Sequence, residues 1–340
     1  MADFLVDVYD RQNLARNYEL DTFIELSATR VINGAGALSV VVPGDIDIKT
    51  FDVISVSRSG AQIGLYFVTS IERRYSQGED VTAVSALHVS GVLDRLIYPA
   101  DDTQNGRTGA ADTLAAYYVS QAIGQGFYGR LTVASASGAA GSVIIDASYR
   151  KISDVLSEIV AAAGTNGETL VWDFSENGTT ATFRVALDYT GADLTKTRTI
   201  TTMSGATQFS ISTDASSQIT RCYAGGSGFE TRTVGSYVDV ATESAAVFSY
   251  SSAFVTIPFT DATTYLSALA ETEVERTRPK TVVSVEVEET DDLTVGVDVR
   301  QGDLVTVAVS GIETPALVKA MEFTKRAGEE RARLHLEATL

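Results

Sequence analysis

Residue types that could carry catalysis are scarce in this sequence. His88 and His335 are its only two histidines, and Cys222 is its single cysteine. A Ser/His/Asp or Cys/His arrangement would have to use one of these histidines, and both lie in runs that predict β-strands. Neither Gly-x-Ser-x-Gly nor His-Glu-x-x-His occurs. We therefore expect structural roles for all three residues, and no catalytic residue, cofactor-binding residue or metal ligand.

A glycine cluster interrupts the β-rich run ITRCYAGGSGFETRTV at Gly225, Gly226 and Gly228. A phosphate-binding loop presents backbone N–H groups at a strand-to-helix turn, and its strong form has a Lys beside the last glycine. Here no helical pattern follows, and Glu230 would repel a phosphate. The cluster is therefore predicted to shape the backbone, at a bulge or a close approach where only glycine fits.

Two carboxylate clusters could bind a cation or exchange protons. DDTQNGRTGAAD, from Asp101 to Asp112, loosely follows a calcium loop, but Thr103 stands where the third ligand should be. A turn that leads into a capped helix explains the same residues and is favoured, although calcium stays open. EETDD, from Glu288 to Asp292, is more typical of a solvated hairpin tip than of an acid/base pair.

Composition narrows the functional class. The 340 residues include 26 basic and 44 acidic side chains, and the net charge of −18 works against binding to polyanions. A single cysteine excludes an intrachain disulfide framework. No apolar stretch approaches the roughly 18 residues that cross a bilayer, and the N-terminus has no recognisable secretory signal. We therefore expect a chain made in a cytoplasm, with no membrane anchor and no sequence-specific binding of nucleic acid.

Periodicity predicts the elements that position these residues. Up to residue 98 the dominant period is two, which is typical of an antiparallel barrel or sandwich. From 99 to 195 helical spacing appears twice, first with Thr108 as N-cap and Gly124 as stop, and then from Ile152 to Ala163 with Gly164 as stop. After the second helix, strands are predicted around Trp172. This part is predicted to be an α+β segment.

The last third of the chain is predicted to return to strands. A helix should run from Asp261, capped by Thr260, to about Arg278, and alternation around Val285 and Leu334 predicts strands with one wet and one dry face. The fold class is therefore mainly β with an α+β insert. The predicted domains are residues 1–98 (β), 99–195 (α+β), 196–280 (β with a closing helix) and 281–340 (small antiparallel β).

The order of these segments resembles the tail hub proteins of long-tailed phages, a siphophage group related to the baseplate hub of contractile-tailed phages. The segments that carry the resemblance are NGAGALSVVVPG, SGVLDRLIYPADD, YRKISDVLSEIVAAAGTNGETLVWDF, ITRCYAGGSGFETR, RQGDLVTVAV and RARLHLEATL. They span nearly the whole chain. The resemblance implies two tail-tube-like β-barrel or sandwich domains with smaller peripheral domains, in a homotrimer that mimics a sixfold ring.

The resemblance also implies a place and partners. A structural virion protein of this kind sits at the distal tail tip, joins the sixfold tube to the threefold tip and passes DNA. Its partners would be a distal tail protein, the tail tube or tape-measure protein, and tip or receptor-binding proteins. The hub portion of the family has no catalytic residue, and this sequence ends at Leu340, where the hub would end. No appended peptidase or receptor-binding region is therefore expected.

This resemblance suggests structural roles for two groups of residues. Gly225, Gly226 and Gly228 would shape a β-domain or a subunit contact, and Glu230 and Arg232 could pair across an interface. Three carboxylates, Glu286, Glu288 and Asp291, are candidates for the lining of the channel, since acidic walls do not grip DNA phosphates.

Two other functional classes stay open. A tail-associated hydrolase would place His88 or His335 beside a nucleophile in a pocket. A β-sandwich receptor-binding or carbohydrate-binding module would expose aromatic side chains in a groove, although Trp172, the only tryptophan, lies in a strand pattern typical of a core.

Overall fold

The computed structural model describes residues 4–20, 22–76, 79–100, 106–124, 129–213, 215–216, 218–226, 233–240, 251–256, 262–278, 281–326 and 329–339. Strands dominate it, so the predicted fold class, mainly β with an α+β insert, is confirmed. The residue ranges assigned to domains stay a prediction. Within the described residues, no helix is both long and apolar enough to cross a bilayer.

The first part of the chain forms seven antiparallel strands. They are β1 (Phe4–Tyr9), β2 (Arg16–Leu20), β3 (Glu25–Val31), β4 (Ala37–Pro43), β5 (Val53–Arg58), β6 (Ala61–Ser76) and β7 (Glu79–His88). Alternating burial along β3 and β4 follows the period of two that the sequence shows. The 16-residue β6 pairs with β5 through its first part and with β7 through its second. It therefore links two parts of the sheet.

The α+β insert follows a short 3-10 helix, Val89–Asp94. Its elements are β8 (Arg107–Ala110), α1 (Ala111–Ile123), β9 (Leu131–Val133), β10 (Ser142–Ile145), α2 (Ile152–Thr165), β11 (Leu170–Asn177) and β12 (Thr180–Leu187). Two predicted helix limits are wrong. Thr108 lies within β8, and Ala110 is the N-cap of α1. Helix α2 continues past Gly164, and the left-handed residue that follows its end is Gly167, with φ +76°.

The remaining elements alternate between a small module and the main sheet. They are β13 (Thr199–Ile200), β14 (Ala206–Thr213), β15 (Arg221–Gly225), β16 (Val234–Val238), β17 (Ser252–Thr256), α3 (Thr263–Arg276), β18 (Thr281–Glu288), β19 (Leu304–Val309), β20 (Ile312–Arg326) and β21 (Glu329–Thr339). The N-cap of α3 is Ala262, whereas Thr260 and Asp261 lie outside the described residues. The predicted cap is therefore replaced by Ala262.

Strands from both ends of the chain share one sheet, in the order β14-β18-β21-β20-β3-β4-β7-β6-β5-β1-β2. The two halves meet where β20 pairs with β3 along seven residues, from Ala320 opposite Val31 to Arg326 opposite Glu25. The sheet then folds over its own core, because the rings of Phe4 in β1 and Phe323 in β20 lie 6.3 Å apart. A single apolar cluster accordingly contains side chains from both halves.

The small module consists of β15, β16, β17 and α3. Its three strands form a separate sheet, and Cys222 and Ala224 pack against Leu266 and Val274 of the helix. Gly235 permits this contact, because a Cβ atom at that position would lie 2.4 Å from the Leu266 backbone.

Candidate functional site

The open face of the large sheet is an extended polar surface. Eight consecutive strands contribute to it, namely β14, β18, β21, β20, β3, β4, β7 and β6, and we call their solvent-facing side the polar face. Cross-strand partners on it are Glu286 with His335, Glu322 with Thr29, and Ser39 with Ser85. The alternate residues of the same strands, such as Val285 and Leu334, are buried in the core. The period of two therefore fixes which side chains this face presents.

Cations on the polar face are paired with carboxylates. The pairs are Arg333 with Glu288 at 2.8 Å, Arg74 with Glu72 at 2.8 Å, Lys319 with Glu337 at 3.3 Å, Arg331 with Glu329 at 3.6 Å, and Arg326 with Glu25 at 3.9 Å. These include every Lys and Arg that the strand register places on this face in the described ranges. Such exposed pairs add little stability. Their consequence is electrostatic, because the described strands of this face offer a polyanion no unpaired Lys or Arg of their own.

The acidic residues predicted to line a channel lie on or beside this face. Glu286 and Glu288 belong to the wet side of β18, and Asp291 is exposed in the turn that follows. His335 stands between two carboxylates, with Nδ1 3.8 Å from Glu286 and Nε2 3.7 Å from Glu322. The assignment of these carboxylates to a channel stays a prediction.

The strands at the two ends of the strand order given above, β2 and β14, differ in their protection. Strand β2 is short, and its partner β1 has a bulge between Val8 and Tyr9. Its Arg16 is ion-paired with Asp7 and Glu19. Strand β14, with the sequence ATQFSIST, has no charged residue, pairs only with β18 among the described strands, and leaves Ile211 50% exposed. Charges, bulges and short length normally prevent edge-to-edge pairing. Strand β14 has neither a charge nor a short length, and its one irregularity lies at its start, between Ala206 and Gln208.

A third open edge lies at the other end of the eight strands. Residues 71–76 of β6 pair with β7 on one side, whereas β5 accompanies β6 only as far as Phe67. Tyr75 in this segment is 68% exposed. The eight strands of the polar face therefore have an open edge at each end, β14 at one and the far half of β6 at the other.

The EETDD segment is only partly the solvated tip that its sequence predicts. Glu289 accepts two hydrogen bonds from the Arg58 guanidinium, at 2.6 and 2.7 Å, and Glu330 accepts a third from the same group at 2.7 Å. The Arg58 side chain is 4% exposed and lies over the rings of Phe4 and Phe323, at 5.7 and 5.6 Å. Arg58 therefore clamps β5 to the C-terminal strands. Its partners are 231 and 272 residues away, and no sequence signal identified it.

The glycine cluster lies at the end of a strand of the small module. Gly225 is the last residue of β15, and the N–H of Gly226 donates to the Thr233 carbonyl at 2.8 Å. The predicted partners Gly228, Glu230 and Arg232 lie outside the described residues. On the outer side of this sheet, Tyr223 and Phe254 are register partners and are 38% and 54% exposed.

His88 lies beside a hydroxyl and a carboxylate, but deep in the protein. Its Nδ1 is 2.8 Å from Ser90 Oγ and accepts from the Ser90 N–H at 3.3 Å, so Nε2–H donates to Glu176 at 2.7 Å. Burial lowers the pKa of His88, and the opposing effect of Glu176 is smaller. Burial raises the pKa of Glu176, but Arg30 and His88 outweigh it and hold that pKa below its ordinary value. This network joins β7, β3 and β11, and its members are buried.

The other chemically suggestive residues also have local explanations. Cys222 is fully buried, and burial raises the pKa of its thiol to about 11, which disfavours a nucleophilic thiolate. Asp112, the twelfth residue of the calcium-like segment, accepts from Ser137 Oγ at 2.8 Å and from the Gly138 N–H at 2.7 Å. Asp101 lies outside the described residues. Among the described residues, no group of His, Cys, Asp and Glu is arranged to hold a metal.

Comparisons with known proteins give a siphovirus protein family and a set of structures with the same fold. The sequence model of a family described as Siphovirus ReqiPepy6 Gp37-like protein matches residues 5–336. A comparison with curated protein sequences gives no match.

Solved structures give the same picture of the fold. A tail protein from Neisseria meningitidis MC58 has a TM-score of 0.59 at 15% identity, over 98% of this chain and 96% of that one. A 43 kDa tail protein of prophage MuSo2 from Shewanella oneidensis has a TM-score of 0.58 at 10% identity, over 98% and 97%. Prophage tail protein gp18 from Listeria monocytogenes EGD-e has a TM-score of 0.52 at 12% identity, over 97% and 94%. At these identities the likenesses show a shared fold.

Proposed function

We propose that this chain, which belongs to the Siphovirus ReqiPepy6 Gp37-like family of phage tail proteins, is the hub of the distal tail tip. Three copies form a ring that joins the sixfold tail tube to the threefold tip and lets DNA pass. Its neighbours are a distal tail protein, the tube or tape-measure protein, and tip or receptor-binding proteins. Its role is structural rather than enzymatic.

The observation that carries this proposal is the polar face with paired cations. Each unpaired Lys or Arg on a channel wall would add a phosphate contact and slow the passage of DNA. On this face Glu288 neutralises Arg333, and His335 lies between Glu286 and Glu322. A wall of this kind repels or ignores phosphate. We therefore assign Glu286 and Glu288 to the lumen, with Asp291 at its rim.

The open sheet edges supply a route to the ring. An edge strand without charges is a template for a strand of another chain, and here that strand, β14, lies at one end of the polar face. The far half of β6 lies at the other end. Pairing of β14 in one copy with β6 in the next is a head-to-tail contact, which closes into a ring when the rotation allows. The polar faces then form one continuous inner wall.

Light scattering and a pair of edge variants test the ring. The wild-type protein is expected at three times the chain mass of 36.1 kDa. Ile211→Lys places a charge on the unprotected edge and should leave a folded monomer, because Ile211 is already half-exposed. Asn17→Lys adds the same charge to the protected edge β2, and this variant should stay trimeric. A trimeric Ile211→Lys protein would refute the proposed edge contact. A wild-type protein that stays monomeric and joins no ring would refute the proposed role as a hub.

The small module has a secondary part in this proposal. Gly225, Gly226 and Gly228 carry geometry at a subunit contact, where Glu230 and Arg232 pair across the interface. Replacement of both charged residues by alanine should weaken the trimer. Unchanged assembly of that double variant would count against the pairing without affecting the edge contact.

A further inference from the structure

A second exposed surface lies where β6 meets the insert, beside the part of the polar face that contains Leu87, the register partner of Phe67. It consists of Phe51, Phe67, Arg95, Ile97, Tyr149 and Lys151, and we call it the basic-aromatic strip. Phe51, Ile97 and Tyr149 are 54%, 51% and 58% exposed. Large apolar side chains with so much exposure, grouped on one surface, are typical of interaction sites.

The residues of the strip are connected through the backbone and through Arg95. The Arg95 guanidinium lies 4.8 Å from the ring centroid of Phe67 and 5.5 Å from that of Phe51. Leu96 packs inward, so Arg95 and Ile97 are exposed on either side of it. Ile97 then pairs with Lys151 in an antiparallel bridge, two residues after Tyr149. The strip therefore consists of two groups, Arg95 with Phe51 and Phe67, and Ile97 with Lys151 and the nearby Tyr149, which Leu96 joins along the chain.

Backbone strain points to the same residues. Seven described non-glycine residues have positive φ, and Phe51 at +70° and Tyr149 at +50° are the two aromatic ones. A bulky side chain in the left-handed region is unfavourable, and glycine or asparagine would satisfy either turn with less strain. Each aromatic ring is also largely exposed, so the fold gains little from its burial. Residues that are costly in both respects are expected where another molecule covers them.

Charge indicates which molecule that is. Arg95 and Lys151 have no carboxylate within salt-bridge distance in the described part of the chain, in contrast to the Lys and Arg residues of the polar face. The chain as a whole carries a net charge of −18. An aromatic strip with unpaired cations on so acidic a protein complements a surface that presents carboxylates beside apolar side chains.

We propose that the basic-aromatic strip is the docking surface for a neighbouring protein of the tail whose contact surface is apolar and acidic. This inference rests on the proposed function, because it places the chain in a tail. It is separate from the ring contact, since the strip contains neither open edge of the polar face. Aromatic rings and Arg at the centre of an interface commonly provide most of the binding energy, so a few substitutions should have a large effect.

The test is complementation of a phage that lacks this protein. The variants are Phe51→Ser/Ile97→Ser and Arg95→Glu/Lys151→Glu, and Met203→Ser, which alters an apolar side chain 96% exposed outside the strip, is the control. Both strip variants should form the same oligomer as the wild type but should enter tails about tenfold less or worse, whereas the control enters normally. The readout is the amount of the protein per purified tail, together with its mass in solution.

The other outcomes overturn the inference. Wild-type incorporation of both strip variants would show that nothing docks there, and loss of the oligomer would place the strip between copies of this chain. Retention of linear duplex DNA by the wild type but not by Arg95→Glu/Lys151→Glu would make the strip a nucleic-acid site. A wild-type protein that enters tails as a monomer would refute the trimeric ring alone, because the incorporation assay still measures docking.

Discussion

Two junctions hold the chain together, and they are built differently. We call the large sheet with its insert the frame. Within the frame, β3 and β20 form a ladder of main-chain hydrogen bonds over a shared apolar core, and Arg58 closes the far side. The insert is attached by one main-chain hydrogen bond, from the Asn33 N–H to the Trp172 carbonyl at 3.1 Å, and by the Asn33 side chain, which accepts from the Trp172 N–H at 2.7 Å. The frame is therefore expected to unfold as one unit.

The junction between the frame and the small module depends on side chains. Glu158 of α2 accepts from Tyr265 of α3 at 3.4 Å and forms an ion pair with Arg150 at 2.5 Å. Beside them lies an open pocket of about 480 Å³, whose lining includes Asp154 and Arg276 as well as the apolar Val255 and Leu269. Among the described residues, no hydrogen bond between main-chain groups links the module to the frame. Continuous ladders make one cooperative body, whereas this junction permits local opening.

The largest effect should come from breaking the Arg58 clamp. Arg58→Ala leaves Glu289 and Glu330 close together without their cation, and removal of one partner from a buried ion pair costs about 3–5 kcal/mol. Denaturant unfolding should show this loss over the whole frame. Arg74→Ala is the matched control, since the Arg74–Glu72 pair is exposed and should change stability by no more than about 1 kcal/mol. If Arg58→Ala lowered the stability as little as this control does, the clamp would contribute little to the stability of the frame.

A smaller change in the free energy of unfolding should follow from a fall in pH, because the buried network of the frame contains His88 and Glu176. His88 has a pKa below its ordinary value of 6.5, so the unfolded chain takes up a proton first as the pH falls. The stability is complete above pH 6.5 and declines from there down to the native pKa, with a slope of at most about 1.4 kcal/mol per pH unit for one proton. Glu176, whose pKa is also lowered, adds a loss in the same direction below its ordinary value of 4.5.

Replacement of His88 isolates its contribution to the pH dependence of stability. His88→Gln lowers stability at every pH but removes this proton uptake, so the slope just below pH 6.5 should become flatter than in the wild type. Unfolding free energies at a series of pH values measure the slope independently of the overall loss. An unchanged slope in the variant would assign the pH dependence to other groups.

Local patterns predicted much of the frame but none of its clamps. The alternation around Val285 and Leu334 correctly placed Glu286 and His335 each on the wet side of its own strand, because the period of a strand depends only on neighbouring residues. Thr108 and Gly164 were wrong as helix limits, since strand pairing of β8 and the later Gly167 decided those ends. Arg58 and Glu289 meet across 231 residues, and His88 and Glu176 across 88. Such partners depend on topology, which a single sequence does not specify.

The smallest effect should appear at the module junction, and it should stay local. Tyr265→Phe removes the hydroxyl that donates to Glu158 and should cost about 0.5–1.5 kcal/mol. Because the ladder of β3 and β20 does not involve this contact, hydrogen exchange should become faster in α3 and β15 while the frame keeps its protection. Tyr117→Phe, which removes a hydroxyl 3.4 Å from Tyr98 inside the frame, is the control and should not alter exchange in the module. Equal acceleration in β20 and α3 after Tyr265→Phe would show that the module and the frame open together, and the difference between the two junctions would then have no dynamic consequence.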